Sequence, residues 1–350
     1  MTGIQWTDKT WNPLRGCSRV SEGCRNCYAE VMASRFSGPG QWAEGLATRG
    51  PARWTGKVTL AEHKLDEPLR WRGPQKIFVN SMSDLFHKDV PDEWIDRIFA
   101  VMALAPQHTF QVLTKRPERM REYVTTKLLG QREPHCNATD WMTCVMDEIR
   151  EARGGWSRES AMSVAPPGSV LPDAWRWPLP NVHLGVSVEN QATADARIPL
   201  LLQTPAAVRF ISAEPLLEPV DLEISWIRPQ RGCDGRTAGV HYHDEFCGPR
   251  LDWVIVGGES GPGARPFDMQ WARALVEQCQ AASVPVFVKQ MGSWPYDGRF
   301  EYGLGLTDPD AMAYAARCAT GIHNRKGGDP SEWPEDLRVR QFPAARKAGE

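Results

Sequence analysis

The sequence predicts an α/β chain built as a partial (β/α) barrel of TIM type, with six to seven parallel strands and two long loop insertions. Three observations carry that expectation. Short runs of four to six residues, apolar at nearly every position, recur along the chain, as strands buried on both faces of a parallel sheet require. Helical patterns fall between several of the runs, which is the rhythm of βαβ units with right-handed parallel pairing. Six or seven such units favour a barrel, closed or partial, over an open doubly wound sheet.

The first candidate strand, Thr10–Leu14, is demoted by Pro13, which has no N–H to give a ladder. The others are Lys76–Val79, Thr109–Leu113, Val182–Val186, Val208–Ile211, Trp253–Val256 and Val284–Val288, each rich in β-branched or aromatic residues. Pro91–Leu104 reads as a helix capped by Asp89, with Trp94, Ile95, Ile98, Phe99 and Met102 at helical spacing. Pro117–Leu129 opens on a proline, which suits the first helical position. Gln191–Leu202 is less regular, and Asp268–Ala282 presents Met269, Trp271, Leu275, Val276 and Cys279.

Two stretches break the rhythm, 130–180 and 228–250, and loops this long in a compact domain are lids, small modules or disorder. One helical piece is expected near Asp140–Arg153. Residues 1–343 thus read as a single partial-barrel domain with these insertions and an irregular C-terminal extension, 294–343, that holds a short helix at Pro309–Cys318. Residues 344–350 read as a solvated tail.

Length and composition bound the function. A chain of 350 residues can bury a large core, and 41% hydrophobic with 24% charged residues is ordinary for a globular protein. The formal net charge of −2 gives no global pull toward nucleic acid or anionic membrane, so a nucleic-acid substrate would need a local basic patch. No run of apolar residues is long enough to span a bilayer, and Met1–Trp11 lacks an apolar leader, so a cytoplasmic protein is expected, bacterial or in a phage-infected host cell. Nine cysteines, an odd number, are then expected to be mostly reduced.

The sharpest chemical signal is Cys17-x6-Cys24-x2-Cys27, three thiols within eleven residues on a loop with Gly16, Gly23 and Asn26. Clustered soft thiolates hold Fe–S clusters or zinc. Structural zinc wants four ligands, and the next Cys or His along the chain is His63. Three cysteines are what a four-iron cluster needs when one iron stays open. Incidental clustering is the bland alternative, and it accounts poorly for this density. The motif follows the first candidate strand, at the end where parallel barrels place active sites.

Polar residues stand just past the other strands: Asn80, Ser81, Ser83, Asp84 and His87; Thr114, Lys115 and Arg116; Ser187, Glu189 and Asn190; Ser212 and Glu214; Gly257 to Ser260; Lys289 and Gln290. Strand ends leave the core, so some polarity is expected there in any case. A barrel would bring Lys115, Glu189, Glu214, Glu259 and Lys289 to one mouth, a costly arrangement unless a polar ligand compensates it. The run Gly257-Gly258-Glu259-Ser260-Gly261 lacks phosphate-loop spacing and fits a turn or a close backbone approach equally well. In the second insertion Cys233, His241, His243 and Cys247 offer four ligands for a structural zinc, though at an unusual spacing, and an unliganded loop is the alternative. Cys136 and Cys144, with His135, are weaker candidates, Cys279 lies on a helical apolar face and reads as core, and Cys318 reads as structural.

These motifs carry a resemblance. Ile4-Gln5-Trp6-Thr7-Asp8 running into Gly16-Cys17, with Cys24, Cys27-Tyr28-Ala29-Glu30, Val79-Asn80-Ser81-Met82-Ser83-Asp84, Leu113-Thr114-Lys115-Arg116-Pro117, Val186-Ser187-Val188-Glu189-Asn190, Ser212-Ala213-Glu214-Pro215, the Gly257–Gly261 run and Lys326-Gly327-Gly328-Asp329, resembles the phage Gp37/Gp68 family, a domain of unknown function. The chain is similar, more distantly, to radical SAM enzymes, which share a partial barrel and a three-cysteine loop after the first strand. That likeness implies a [4Fe-4S] cluster on Cys17, Cys24 and Cys27, with S-adenosylmethionine on the open iron and its sulfonium cleaved to a 5′-deoxyadenosyl radical. It implies Asn80 and Ser81 at the methionine end of the cofactor, Ser187 and Glu189 at the ribose, and Glu214, Lys289 and Lys115 as candidate catalytic residues near substrate. It also implies an electron donor of flavodoxin or ferredoxin type, and the phage setting implies a nucleobase of phage or host as substrate. The sequence departs from the common C-x3-C-x2-C spacing, has Asn26 where an aromatic residue usually precedes the last cysteine, and lacks a glycine-rich second strand end. Two rival functions stand beside this one: a non-catalytic Fe–S or zinc protein that binds nucleic acid or a protein partner, and a cluster-dependent lyase or repair enzyme.

Overall fold

Seven of the apolar runs pair side by side into one sheet in the computed structural model, which describes residues 4–128, 177–227, 249–298 and 308–344. The strands are β1 (Lys9–Trp11), β2 (Lys76–Val79), β3 (Thr109–Thr114), β4 (Val182–Ser187), β5 (Val208–Ala213), β6 (Trp253–Gly257) and β7 (Val286–Gln290). They lie in chain order, every neighbour parallel, and the sheet curls into a half-barrel. Chain order is what successive right-handed crossovers of one hand produce; a doubly wound sheet would reverse direction midway. Among the described residues β1 and β7 do not pair, so the barrel is partial.

Among the described residues the α-helices of six residues or more are α1 (Tyr28–Arg35), α2 (Asp92–Leu104), α3 (Pro117–Glu122), α4 (Gln191–Leu202), α5 (Met269–Ala281) and α6 (Pro309–Thr320). The start of α4 is dictated locally: Asn190 accepts from the Thr193 amide at 3.0 Å while Thr193 Oγ1 accepts from the Asn190 amide at 3.1 Å, a reciprocal cap. Asp268 caps α5 by accepting from the Gln270 amide at 2.9 Å. Asp89 does not cap α2. Pro91 holds that position, and the Asp89 amide donates instead to His87 Nδ1 at 3.2 Å. Helix α3 passes at Tyr123 into a wider π-turn segment that runs to Leu128, close to the expected end.

Two other expectations shift. The last strand begins at Val286, because Pro285 cannot donate to a ladder, and it runs on to Gln290. The first strand stops at Trp11, and Leu14–Arg15 turns away to pair antiparallel with Thr59–Leu60. Helix α1 has no counterpart in the apolar periodicity. It buries only Ala29, Glu30 and Ala33, and its Ala33 packs on Ala43 and Ala47.

Side chains alternate across the sheet. One set, with Ile77, Val112, Leu184, Ile211, Val254 and Val286, packs against Ile95 and Phe99 of α2, Ile198 of α4 and Leu275 of α5. The other set points away from the helices, and Phe78, Leu113, Phe210, Trp253, Ile255 and Phe287 gather there around Trp6. The N-terminal segment therefore plugs the concave side with aromatic rings. Gly185 makes room for the plug: a Cβ there would stand 2.6 Å from the Phe210 ring. Closer to the carboxyl ends the concave wall turns polar, with Ser187 register-paired to Ser212.

The extension also covers the open edge of β7. Val288 N–H donates to Val339 at 2.8 Å and Gln341 N–H donates to Val286 at 2.9 Å. Trp333 is 1% exposed and donates to Gly327 O at 2.9 Å, which ties this segment to the mouth of the barrel. Cys279 is buried as expected, whereas Cys318 is exposed at the end of α6. The ligand set Cys233, His241, His243 and Cys247, the helical piece near Asp140–Arg153, and Cys136 and Cys144 with His135 lie outside the described residues.

Candidate functional site

Pro13 ends β1, and Gly16 forms a parallel bridge to Ser83. Only glycine fits at Gly16: its φ is +88° and a Cβ would stand 2.1 Å from Lys57 O. From there the segment Cys17–Tyr28 crosses the carboxyl mouth of the sheet into the start of α1, and it is fastened to four strand ends on the way. Arg116, past β3, donates to Ser18 O at 2.9 Å and Ser18 Oγ at 3.0 Å. Ser21 Oγ donates to Glu189 Oε1, past β4, at 2.7 Å. Asn26 Nδ2 donates to Glu259 Oε2 at 2.9 Å and Gly263 O at 2.8 Å, past β6. Tyr28 OH donates to Ser81 O, past β2, at 2.7 Å. Gly23 packs so tightly on Glu189 that a Cβ would stand 2.3 Å from its Oε1.

Cys17, Cys24 and Cys27 are free thiols, each half-buried. Burial pushes the Cys17 thiol up to about 12 and the neighbouring Asp84 carboxylate adds to this, while the Arg116 guanidinium opposes it. Both terminal nitrogens of Arg116 stand 3.9 Å from Cys17 Sγ. Burial also raises the Cys27 thiol, against the Glu30 and Ala29 amides at the start of α1 and the charge of Lys115. Charges on Cys17 and Cys27 influence each other, as do those on Cys27 and Cys24. Arg19, which feels Cys24 and Cys27, is itself held by the buried Glu30, its Nε 3.1 Å from each carboxylate oxygen.

The donor set, three sulfurs on one pinned loop, is of the type that holds a thiolate-bound metal group. Helix amides and cations act there toward the ionised form, against burial, which outweighs them and raises the Cys17 and Cys27 thiols. Among the described residues no group of three or more His, Cys, Asp or Glu stands arranged around a metal position. The histidine placed against the loop is His87, which sequence spacing did not single out as a ligand, and both its ring nitrogens are engaged. Nδ1 accepts from the Asp89 amide, so Nε2 carries the hydrogen and donates to Ser18 Oγ at 2.8 Å. A fourth protein ligand for zinc is therefore not supplied by His87 as it stands.

The rim residues do converge, and they pair with one another. Arg116 Nη1 meets Asp84 at 2.8 Å, Lys115 meets Glu189 at 3.7 Å, Arg197 meets Glu189 at 3.0 Å and Arg265 meets Glu259 at 2.7 Å. Lys289 forms an ion pair with Glu214, and Gln290 Nε2 adds a bond to Glu214 at 3.3 Å. This corrects the expectation that the crowded charges call for a polar ligand: they neutralise each other in pairs around the strand ends. The rim and the cysteine loop share one space, since Lys115 acts on Cys27 and Glu214 acts on Tyr28.

The candidates for cofactor contact all lie within the described residues. Asn80 is buried with φ +60°; its Oδ1 accepts from the Leu14 amide at 3.2 Å, and its Nδ2 has no hydrogen-bond partner among the described residues. Ser81 Oγ bonds Asn12 Oδ1 at 3.1 Å. Ser187 is buried, on the concave wall, and its carbonyl accepts from Arg197 at 2.8 Å. Glu189 is 1% exposed and already bonded to Ser21 and Arg197. Burial raises its pKa, but Lys115, Arg197 and the hydrogen bonds from Ser21 and Arg197 outweigh it and hold the carboxyl below its ordinary value. Sequence reasoning did not single out Ser21, Arg197 or Arg265, because each matters only through a partner that chain folding, and not local spacing, brings to it.

A family model described as "Protein of unknown function (DUF5131)" matches residues 1–329. No curated protein and no solved structure matches the chain.

Proposed function

We propose that this chain, which belongs to the DUF5131 family, is a radical-SAM-type enzyme whose Cys17, Cys24 and Cys27 hold three irons of a [4Fe-4S] cluster. The reading extends the likeness to the phage Gp37/Gp68 family and to radical SAM enzymes. One observation carries it: the three-thiol loop crosses the carboxyl mouth of a seven-stranded parallel half-barrel and is pinned there to the ends of β2, β3, β4 and β6. When bound, the cluster and S-adenosylmethionine would supply the reductive cleavage of a sulfonium and a carbon radical that removes hydrogen from substrate.

The chain's own part is to hold, orient and exclude water. Glu189, past β4, and Glu259, past β6, fix the loop at two points. Asn80 Nδ2, which has no partner among the described residues, is a donor for the carboxylate of a methionine moiety, with Ser81 beside it. Ser187 offers a hydroxyl to a ribose from the concave wall. Lys115, Glu214 and Lys289, each held in an ion pair, are the ionic groups a substrate would meet at the mouth. The aromatic plug around Trp6 closes the floor, so reactive species formed above it meet no solvent from below.

The test is anaerobic purification followed by iron and sulfide analysis, an absorption spectrum, and assay of 5′-deoxyadenosine from S-adenosylmethionine with a strong reductant. Brown protein that makes deoxyadenosine is the expected result. Brown but inert protein would favour the non-catalytic Fe–S alternative, and colourless, iron-free protein would overturn the cluster assignment.

A further inference from the structure

The three thiols are not equivalent. Of the hydrogen bonds the described residues make to these sulfurs, those from a charged side chain fall on Cys17, where Arg116 Nη1 and Nη2 each lie 3.9 Å from Sγ. The guanidinium is fixed on its other sides: Nη1 donates to Asp84 at 2.8 Å, and Nη2 donates to Ser18 O at 2.9 Å and Oγ at 3.0 Å. Asp84 is fixed in turn by Thr114 Oγ1 at 2.7 Å and by the amides of Phe86 at 3.0 Å and Lys115 at 3.1 Å. His87 Nε2 donates to Ser18 Oγ at 2.8 Å and steadies it. The side chains of Arg116 and Asp84 are 14% and 8% exposed, so this array is shielded from water.

From this array we infer that Arg116 is a positioning residue that tunes the reduction potential of the metal group through the Cys17 sulfur. The inference rests on the cluster reading and goes beyond it, since it assigns a role to a residue that touches no substrate. Hydrogen bonds and positive charge at a ligating sulfur favour the more negative, reduced state. The couple concerned is a one-electron uptake from an external reductant, in which no bond forms or breaks. Lys115 serves as an internal comparison: it acts on Cys27 by charge and makes no hydrogen bond to a sulfur among the described contacts.

The experiment is an EPR-monitored redox titration of the purified protein with a dithionite–mediator mixture, on wild type, Arg116→Gln, Arg116→Lys and Lys115→Gln, each with iron content measured alongside. Arg116→Gln should keep its iron and titrate at a more negative potential. Arg116→Lys should recover part of the difference, because charge returns without the planar fork. Lys115→Gln should shift less than Arg116→Gln. If Arg116→Gln loses its iron, the lysine variant carries the test, and a wild-type potential there would overturn the inference. So would an unshifted Arg116→Gln, or an equal shift in Lys115→Gln. A wild type without iron would sink the cluster reading itself, which is a different result from an intact cluster that ignores Arg116.

Discussion

Truncating Glu189 to Ala removes the post on which the cysteine loop rests, and the cost can be worked from its partners. The carboxylate is 1% exposed and holds Arg197, itself 7% exposed, at 3.0 Å. It also holds Ser21 at 2.7 Å and Lys115 at 3.7 Å. Breaking a buried ion pair from one side leaves an uncompensated charge, and that costs about 3–5 kcal/mol. Glu189→Gln keeps the shape and one acceptor but turns charge-assisted bonds into neutral ones, a loss of about 1.5–3 kcal/mol. The assay is urea unfolding of the metal-free protein, with hydrogen exchange of peptides covering Cys17–Cys27. The expected order is wild type, then Gln, then Ala in midpoint, with exchange in the loop rising before exchange in β6. Adding Arg197→Met to Glu189→Ala should restore stability, because the stranded cation is gone. An alanine variant within about 0.5 kcal/mol of wild type, the ordinary range for surface changes, would refute the view that this carboxylate anchors the loop.

Three further outcomes follow from the same geometry. Stability should fall on acidification. The Glu189 and Glu259 carboxyls are held below their ordinary values, because cations and hydrogen bonds outweigh the opposing effect of burial. The unfolded chain therefore takes up protons first, and the stabilisation, full above the unfolded carboxylate value, is lost as pH drops through the folded values; a double Gln variant should flatten that limb in a pH series of melting curves. Gly23→Ala should leave the barrel folded by circular dichroism but cut iron loading, since its Cβ would stand 2.3 Å from Glu189 Oε1; full iron content in this variant would show that the loop gives way freely. Gly185→Ala should lower stability by about 1–3 kcal/mol through overpacking, because the Cβ meets the Phe210 ring at 2.6 Å. Phe210→Leu in the same chain should relieve part of that loss, and an additive double variant would count against the contact.

Much of this protein could be read from single elements. The strands β2 to β6 begin where the apolar runs begin, because strands covered on both faces read as nearly continuous apolar sequence. Helix α4 begins at Gln191 as its reciprocal cap demands. Helix α1 could not be read this way, since it rests on two alanines and a buried glutamate rather than on an apolar stripe. Asp89 does not cap α2 because the helix starts only at Asp92, with Pro91 at the cap position, a boundary the local pattern leaves open by a residue or two.

The sequence by itself determined the order of parallel strands and helices, and it placed three thiols just past the first strand, since hydrophobic period and ligand spacing are local properties of the chain. The tertiary structure alone decided how the polar strand ends are used. Ser21 with Glu189, Asn26 with Glu259, and Arg116 with both Asp84 and Cys17 are pairs separated by tens to hundreds of residues. The mutual neutralisation of the rim and the inequality of the three sulfurs arise only when the curled sheet brings those ends within hydrogen-bonding distance, because Coulomb and hydrogen-bond energies depend on separation in space and not along the chain.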